Sequence, residues 1–215
     1  MTNDECFGGA ILVASFMEKT DAILIDRMPY RETSLIVQWC SPEAGVFKTI
    51  AKGVLRPKSP FAGRLDLFVS ADVRFVRGRS SDLHTLTEVQ WIEPRLGLRQ
   101  SYARVLAATY FVKLVTQVVE RETAIPAIHH LLRKALDYLD GKEPTMAVVE
   151  RFERRLAEDL GIAGDGDFSR AIEAAFHRRL PVQRGQLVKL IGMKAMPQRI
   201  ATDGMIPLAD DARLE

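Results

Sequence analysis

Eight basic side chains fall between Gly45 and Arg79, at Lys48, Lys52, Arg56, Lys58, Arg64, Arg74, Arg77 and Arg79. Only Asp66 and Asp72 oppose them, so this stretch carries a net +6 in a chain whose total is +2. Cations concentrated in this way suit a surface that follows phosphates better than one that makes or breaks bonds. In the run GVFKTIAK, Phe47, Thr49 and Ala51 alternate with Lys48, Ile50 and Lys52 at the period of a half-buried strand, which sets Lys48 and Lys52 on one face. Beyond Gly53, Arg56, Lys58 and Arg64 lie among Pro57, Pro60 and Gly63, where neither a helix nor a central strand continues, so an exposed loop is expected. Lysines on an exposed strand also serve simply to discourage edge pairing. The charge therefore needs a fold around it before it counts as a site.

Other chemistry has no obvious carriers. An enzyme needs a nucleophile, a base or a metal site, and the chain contains no HExxH, GxSxG or phosphate-loop motif. His84 lies in a strand-like run, His129 and His130 begin a helical one, and His177 belongs to a basic cluster with Arg178 and Arg179. Asp165 and Asp167 suggest a calcium loop, but the positions requiring Gly and Glu hold Arg170 and Phe176, so helix capping is the better reading. The expectation is a binding protein without cofactor, not an enzyme. Cys6 and Cys40 have no CxxC spacing, which suggests neither a disulfide framework nor a zinc cluster and suits a reducing cytoplasm.

The elements that must position these cations come in two blocks. With 47% hydrophobic residues the chain can bury a sizeable core. Residues 1–16 read as an extension, with Met17 a plausible start; the apolar piece Gly8 to Phe16 follows Asp4 and Glu5 rather than basic residues, unlike a secretory leader. No run approaches the roughly 18 apolar residues of a spanning helix, so no membrane partner is expected. Five short strands are predicted, at Asp21 to Arg27, Ser34 to Cys40, Gly45 to Val54, Leu67 to Val76 and Leu83 to Ile92. Five strands in so short a stretch suit an OB-fold barrel or an SH3-like one. In the OB-fold the binding face uses strands two and three with the loops joining strands one to two and four to five. Tyr30 and Arg31 fall in the first of those loops, and Arg77 and Arg79 in the second.

After Glu93 and Pro94 the period changes to a helical one. Helices are predicted over Ser101 to Arg121, from Pro126 to Leu139, from Thr145 to Leu160, from Phe168 to Leu180 with Asp167 as N-cap, and near Gln183 to Ile191. Residues 192–215 read as a tail. The domains expected are thus 17–94, a barrel, and 95–191, all helical: an α+β chain.

The run MEKTDAILIDRMPYRETSLIVQWCSPEAGVFKTIAKGVLRPKS resembles the start of the RecO family of bacterial recombination mediators, through Tyr30, Glu32, Ser34, Gly45, Lys52, Gly53, Arg56, Lys58 and Ser59. Weaker similarity continues through Phe61, Leu65, Phe68, the run DLHTLTE, and the helical segments RFERRLAEDLGI and HRRLPVQRG. The resemblance implies an N-terminal five-stranded OB-fold barrel followed by an all-helical C-terminal domain. It also implies a cytoplasmic, nucleoid-associated DNA repair and recombination role: binding single- and double-stranded DNA, strand annealing, contact with the tail of single-strand-binding protein, association with RecR, and help in loading RecA onto gaps. Many members carry a four-cysteine zinc site after the segment matching RFERRLAEDLGI. Here AGDGDFSRAI holds no cysteine, so no zinc is expected.

On this reading Arg31, Lys48, Lys52, Arg56, Lys58, Arg64, Arg77 and Arg79 contact phosphates, with Tyr30 and Phe61 as candidates for stacking on bases. Tyr30 could equally pack on the barrel rim, and Phe61 could plug the space between barrel and helices. Clusters at Arg151, Arg154 and Arg155 and at Arg178 and Arg179 are either a second basic surface or a solvated helix face. The alternative function is an OB-fold module that binds RNA or a protein tail without annealing.

Overall fold

The computed structural model describes residues 17–78, 82–162 and 166–195. Strands β1 (Met17–Tyr30), β2 (Ser34–Ser41), β3 (Gly45–Ala51), β4 (Ser70–Val76) and β5 (Leu83–Glu93) form a closed barrel in the order β1-β2-β3-β5-β4. All neighbours are antiparallel except β3 and β5, which run parallel from Lys48 opposite Leu83 to Ile50 opposite Thr85. This Greek-key order is that of the OB-fold and decides between the two barrels considered. β1 is longer than its hydrophobic run because it serves both sides. Residues 17–23 pair with β4 and residues 23–30 with β2, with an irregularity between Leu24 and Asp26 where the strand turns from one partner to the other.

Alternation along the strands fills the barrel. Phe47, Thr49 and Ala51 are buried, while Lys48 is half-buried and Lys52 exposed. Trp39, at the centre, donates its indole N–H to the Thr49 hydroxyl at 2.8 Å, so the polar edge of a fully buried ring is satisfied. β3 stops at Ala51 because Gly53 takes φ +68°, and β4 begins only after Phe68 at φ +69°.

A short 3-10 turn (Leu96–Gln100) leads into α1 (Tyr102–Val118), α2 (Pro126–Gly141), α3 (Met146–Asp159), α4 (Phe168–Phe176) and α5 (Gln183–Ala195). α4 is shorter than its apolar pattern, since His177 adopts a left-handed φ of 50° and ends it. Thr145 caps α3 by accepting from the Val148 N–H, and Asp167 caps α4 by accepting from the Arg170 N–H at 3.2 Å. α1 is the central helix, with Tyr110, Phe111, Leu114 and Val115 fully buried. Inside the bundle Glu153 of α3 is 2% exposed; it accepts from the Tyr110 hydroxyl at 2.6 Å and from the Arg184 guanidinium at 2.7 and 3.2 Å. Burial and the adjacent carboxylate push the Tyr110 phenol well above its ordinary pKa, so it stays a neutral donor.

Barrel and helices share one apolar seam. Ile23, Ile25, Cys40 and Val46, on the outer face of β1 to β3, belong to the same cluster as Leu106, Tyr110, Leu132 and Leu136. The β2–β3 turn also docks on the segment between α1 and α2: the Glu122 N–H donates to the Val46 carbonyl at 3.1 Å and the Ile125 N–H to that of Pro42 at 2.9 Å. Gly45 allows this approach, as its φ is +66° and a Cβ there would lie 2.0 Å from the Thr123 carbonyl oxygen. At the centre of the seam sits Arg95, 1% exposed and left-handed at φ 46°. Its guanidinium donates to the Phe68 carbonyl at 2.7 Å, to the Ser70 hydroxyl at 2.9 Å, and to the Asp137 carboxylate of α2 at 2.8 Å.

Removing Arg95 leaves a buried carbonyl and half of an ion pair without partners. Arg95→Ala is expected to cost about 3 kcal/mol in a urea melt, a large share of a domain's stability. His129 of α2 lies nearby and is 8% exposed. Burial, helped by Arg133 and Arg95 and opposed by Glu43, lowers its pKa from 6.5 to about 4. An unfolded chain binds this proton near 6.5 while the folded one refuses it until about 4, so the stability is whole above pH 6.5 and drains as pH falls between the two. Urea midpoints should show up to about 1.4 kcal/mol per pH unit from this group, a slope absent in His129→Gln.

Candidate nucleic-acid interface

The cationic side chains come together through two connections at one end of the barrel. The turn between β1 and β2 is tight, with Tyr30 opposite Ser34 and Arg31 at a left-handed φ of 55°. The long connection from β3 to β4 folds as successive turns, in which the Arg56 N–H donates to the Gly53 carbonyl, Ser59 to Arg56, Ala62 to Ser59 and Arg64 to Phe61, all at 3.0 to 3.2 Å. These bonds use backbone groups and none of them engages the Arg56 or Lys58 side chain. The Leu55 N–H donates to the Thr33 carbonyl at 3.2 Å and so joins the loop to the turn. Arg31, Lys52, Arg56 and Lys58 therefore share one rim, all exposed, and none forms an ion pair with a carboxylate among the described residues. Lys48 lies on the β3 face leading to that rim.

The acids of the basic stretch itself are occupied elsewhere, and Glu32 is exposed beside Arg31 in the β1–β2 turn. Asp66 pairs with Arg27 and Arg99, and Asp72 with Lys19 at 2.7 Å. The two acids that diluted the basic stretch are thus neutralised by cations from outside it.

Other candidates take different roles. Arg77, at the end of β4, is ion-paired with Glu18 and with Glu122 at 3.2 Å, contacts that hold its charge on and raise its pKa further. Beside it His84 is buried: its Nδ1 accepts from the Gly78 N–H at 3.2 Å, its ring stacks on Phe75, and its Nε2 lies 3.3 Å from Glu122. Desolvation lowers the His84 pKa. This network fastens the β4–β5 loop to the α1–α2 segment, so Arg77 is an anchor and not an open phosphate contact. Arg79 lies outside the described residues. Phe61 is 5% exposed within the barrel core, where it plugs the open end with Leu65, so it offers no face to a base. Tyr30 is half-buried with the Arg31 guanidinium 5.3 Å from its ring centre. Arg64 is exposed but also donates to the Val89 carbonyl at 3.2 Å, tying the loop's end to β5.

Sequence reasoning did not find a cleft of about 540 Å³ between barrel and helices, with Ile25, Phe68 and Val112 in its walls and Lys113, Arg178 and Arg179 also lining it. Its parts come from segments far apart in the chain, and only the basic pair was visible beforehand. The region where the family's zinc cysteines would stand does not fit that metal. Cys40 is buried on β2, its thiol pushed up to about 12 by desolvation, and Asp167 is used as a cap. No group of three or more potential ligands is placed to hold a metal among the described residues.

A closed OB barrel with an unpaired cationic rim, built onto a helical bundle, defines the class of protein. Residues 17–95 match the family described as Recombination protein O N terminal, and residues 99–169 that described as Recombination protein O C terminal. The chain belongs to the RecO family. It is 32% identical over 143 residues to the DNA repair protein RecO of Dehalococcoides mccartyi, covering 66% of this chain and 56% of that one. It is 31% identical to the DNA repair protein RecO of Idiomarina loihiensis, over 67% of this chain and 61% of that one. The protein of the same name from Salinibacter ruber is 31% identical, over 71% and 59%. The chain thus spans less than two thirds of the length of these relatives. No described helix is long and apolar enough to cross a membrane.

The two kinds of arginine can be told apart. Arg77→Ala should cost no more than about 1 kcal/mol in thermal stability, because its pairs are partly exposed, and should leave retention on a heparin column unchanged. Lys52→Ala combined with Arg56→Ala should shorten that retention without moving the melting temperature.

Proposed function

We propose that this protein is a DNA-binding recombination mediator in DNA repair, one that holds single strands by their phosphates on the rim formed by Arg31, Lys52, Arg56 and Lys58, with Lys48 extending the track. The observation that carries the reading is the linkage of the β1–β2 turn to the β3–β4 loop, which gathers cations without acidic partners onto one exposed edge. Contacts of this kind grip the backbone and leave base edges free. Two strands held in this way can pair while their mutual repulsion is neutralised, which is the physical basis for annealing. Double-stranded DNA would use the same contacts.

Family membership supports the remaining parts of the proposal: association with RecR, help in loading RecA onto gapped DNA, and contact with the tail of single-strand-binding protein. For the acidic tail of that last partner, the cleft with apolar walls and Lys113, Arg178 and Arg179 among its lining residues has suitable chemistry. None of these roles requires catalytic turnover of a small substrate.

The salt dependence of affinity for a labelled single strand tests the rim. With five phosphates neutralised, log affinity should fall with log salt at a slope near −3.5, and Lys52→Ala, Arg56→Ala and Lys58→Ala together should reduce the magnitude of that slope by about 2. Affinity should drop alike for all sequences. A flat dependence, or an unchanged slope in the triple variant, would move the site away from this rim.

A further inference from the structure

Of the two tryptophans, Trp39 is sealed inside the barrel at 0% exposure, whereas Trp91, near the end of β5, is 38% exposed. Trp91 is also held in place. Its indole N–H donates to the Arg64 carbonyl at 2.6 Å, while the Arg64 guanidinium donates back to the Val89 carbonyl of the same strand at 3.2 Å. With the polar edge engaged, what the exposed part of the ring offers is π surface. A cleft of about 490 Å³ opens beside it, lined by Gly63, Arg64, Glu88, Gln90 and Trp91. Nothing lies within 4 Å of where a Cβ on Gly63 would stand, so this flank of the cleft is open. The acid in the cleft does not oppose an anion with its full charge, because Glu88 pairs with Arg74 at 3.2 Å.

The position relative to the rim matters as much as the ring. β5 runs parallel to β3 only as far as Ile50 opposite Thr85. Beyond Ala51, where β3 ends, the chain continues as the basic loop, and that loop finishes at Arg64 against Trp91 and Val89. A strand whose phosphates lie on Lys52, Arg56 and Lys58 therefore has Trp91 at the far end of the same loop. Aromatic rings beside a cationic track are how single-stranded nucleic acid is held without sequence preference, since every base has a face to stack. We propose that Trp91 is a base-stacking residue, taking one unpaired base of a single strand beside Arg64; this rests on the phosphate-binding role proposed for the rim. Rim and ring divide the work, the first recognising backbone and the second recognising that a base is unpaired.

The test uses Trp91 as its own reporter. Titrating the protein with an end-labelled oligo-dT, with anisotropy of the label and tryptophan emission followed together, should show emission quenched in step with binding. In Trp91→Phe only buried Trp39 emits, and the quench should disappear. Trp91→Ala should weaken single-strand binding by roughly five- to a hundredfold, Trp91→Phe much less because a ring remains, and neither should change affinity for a blunt duplex of the same length or the salt slope. Binding that proceeds with no change in Trp91 emission, or an equal loss for single strand and duplex in Trp91→Ala, would overturn the stacking role and leave the rim intact. If anisotropy fails to rise at all, the rim itself is refuted and the inference goes with it.

Discussion

One buried guanidinium holds the two halves of this protein in register. Arg95 directs its Nε and Nη1 donors to a carboxylate of α2, a barrel carbonyl and a barrel hydroxyl, its Nη2 lies without a hydrogen bond 3.7 Å from the Glu93 carboxylate, and its left-handed backbone turns the chain from β5 into the helical region. A fully buried charge is tolerated only when it is paired and hydrogen-bonded, so the geometry around it is strict. The apolar seam beside it is less particular about angle, because hydrophobic burial has no direction. Arg95 supplies the direction and the seam supplies area.

The same pairing logic explains why the rim is left electropositive. Several cations near the barrel are consumed in structure: Arg27 and Arg99 on Asp66, Lys19 on Asp72, Arg74 on Glu88, Arg77 on Glu18 and Glu122. Each of these exposed pairs stabilises the fold little. Together, however, they neutralise Asp66 and Asp72, the two acids of the basic stretch, with cations from outside it.

The helical half shows the limits of reading charge from a sequence. In the segment from Glu150 to Asp159 acids and bases alternate, and a solvated face is the ordinary reading. Yet Glu153 is buried between Tyr110 and Arg184 while Glu150 and Glu158 are exposed. Helical phase places Glu153 beside Phe152, Leu156 and Ala157, but only the arrival of α1 and α5 supplies the donors that make its burial possible.

What the sequence determined by itself was the set of elements and their inward faces, because period, caps and turn residues act over a few neighbouring positions. Thr145 and Asp167 as caps, the Phe47, Thr49 and Ala51 alternation, and the exposed basic loop were all legible in this way. The barrel's closure, the end of β3 short of Val54, and the sorting of Arg64, Arg77, Phe61 and Trp91 into anchor, plug and open ring were decided only by tertiary structure. Those outcomes depend on which distant group arrives opposite each side chain, as Glu122 does for Arg77 and the Val89 carbonyl for Arg64. Coulomb attraction and burial act through space, and a linear pattern carries no record of such distances.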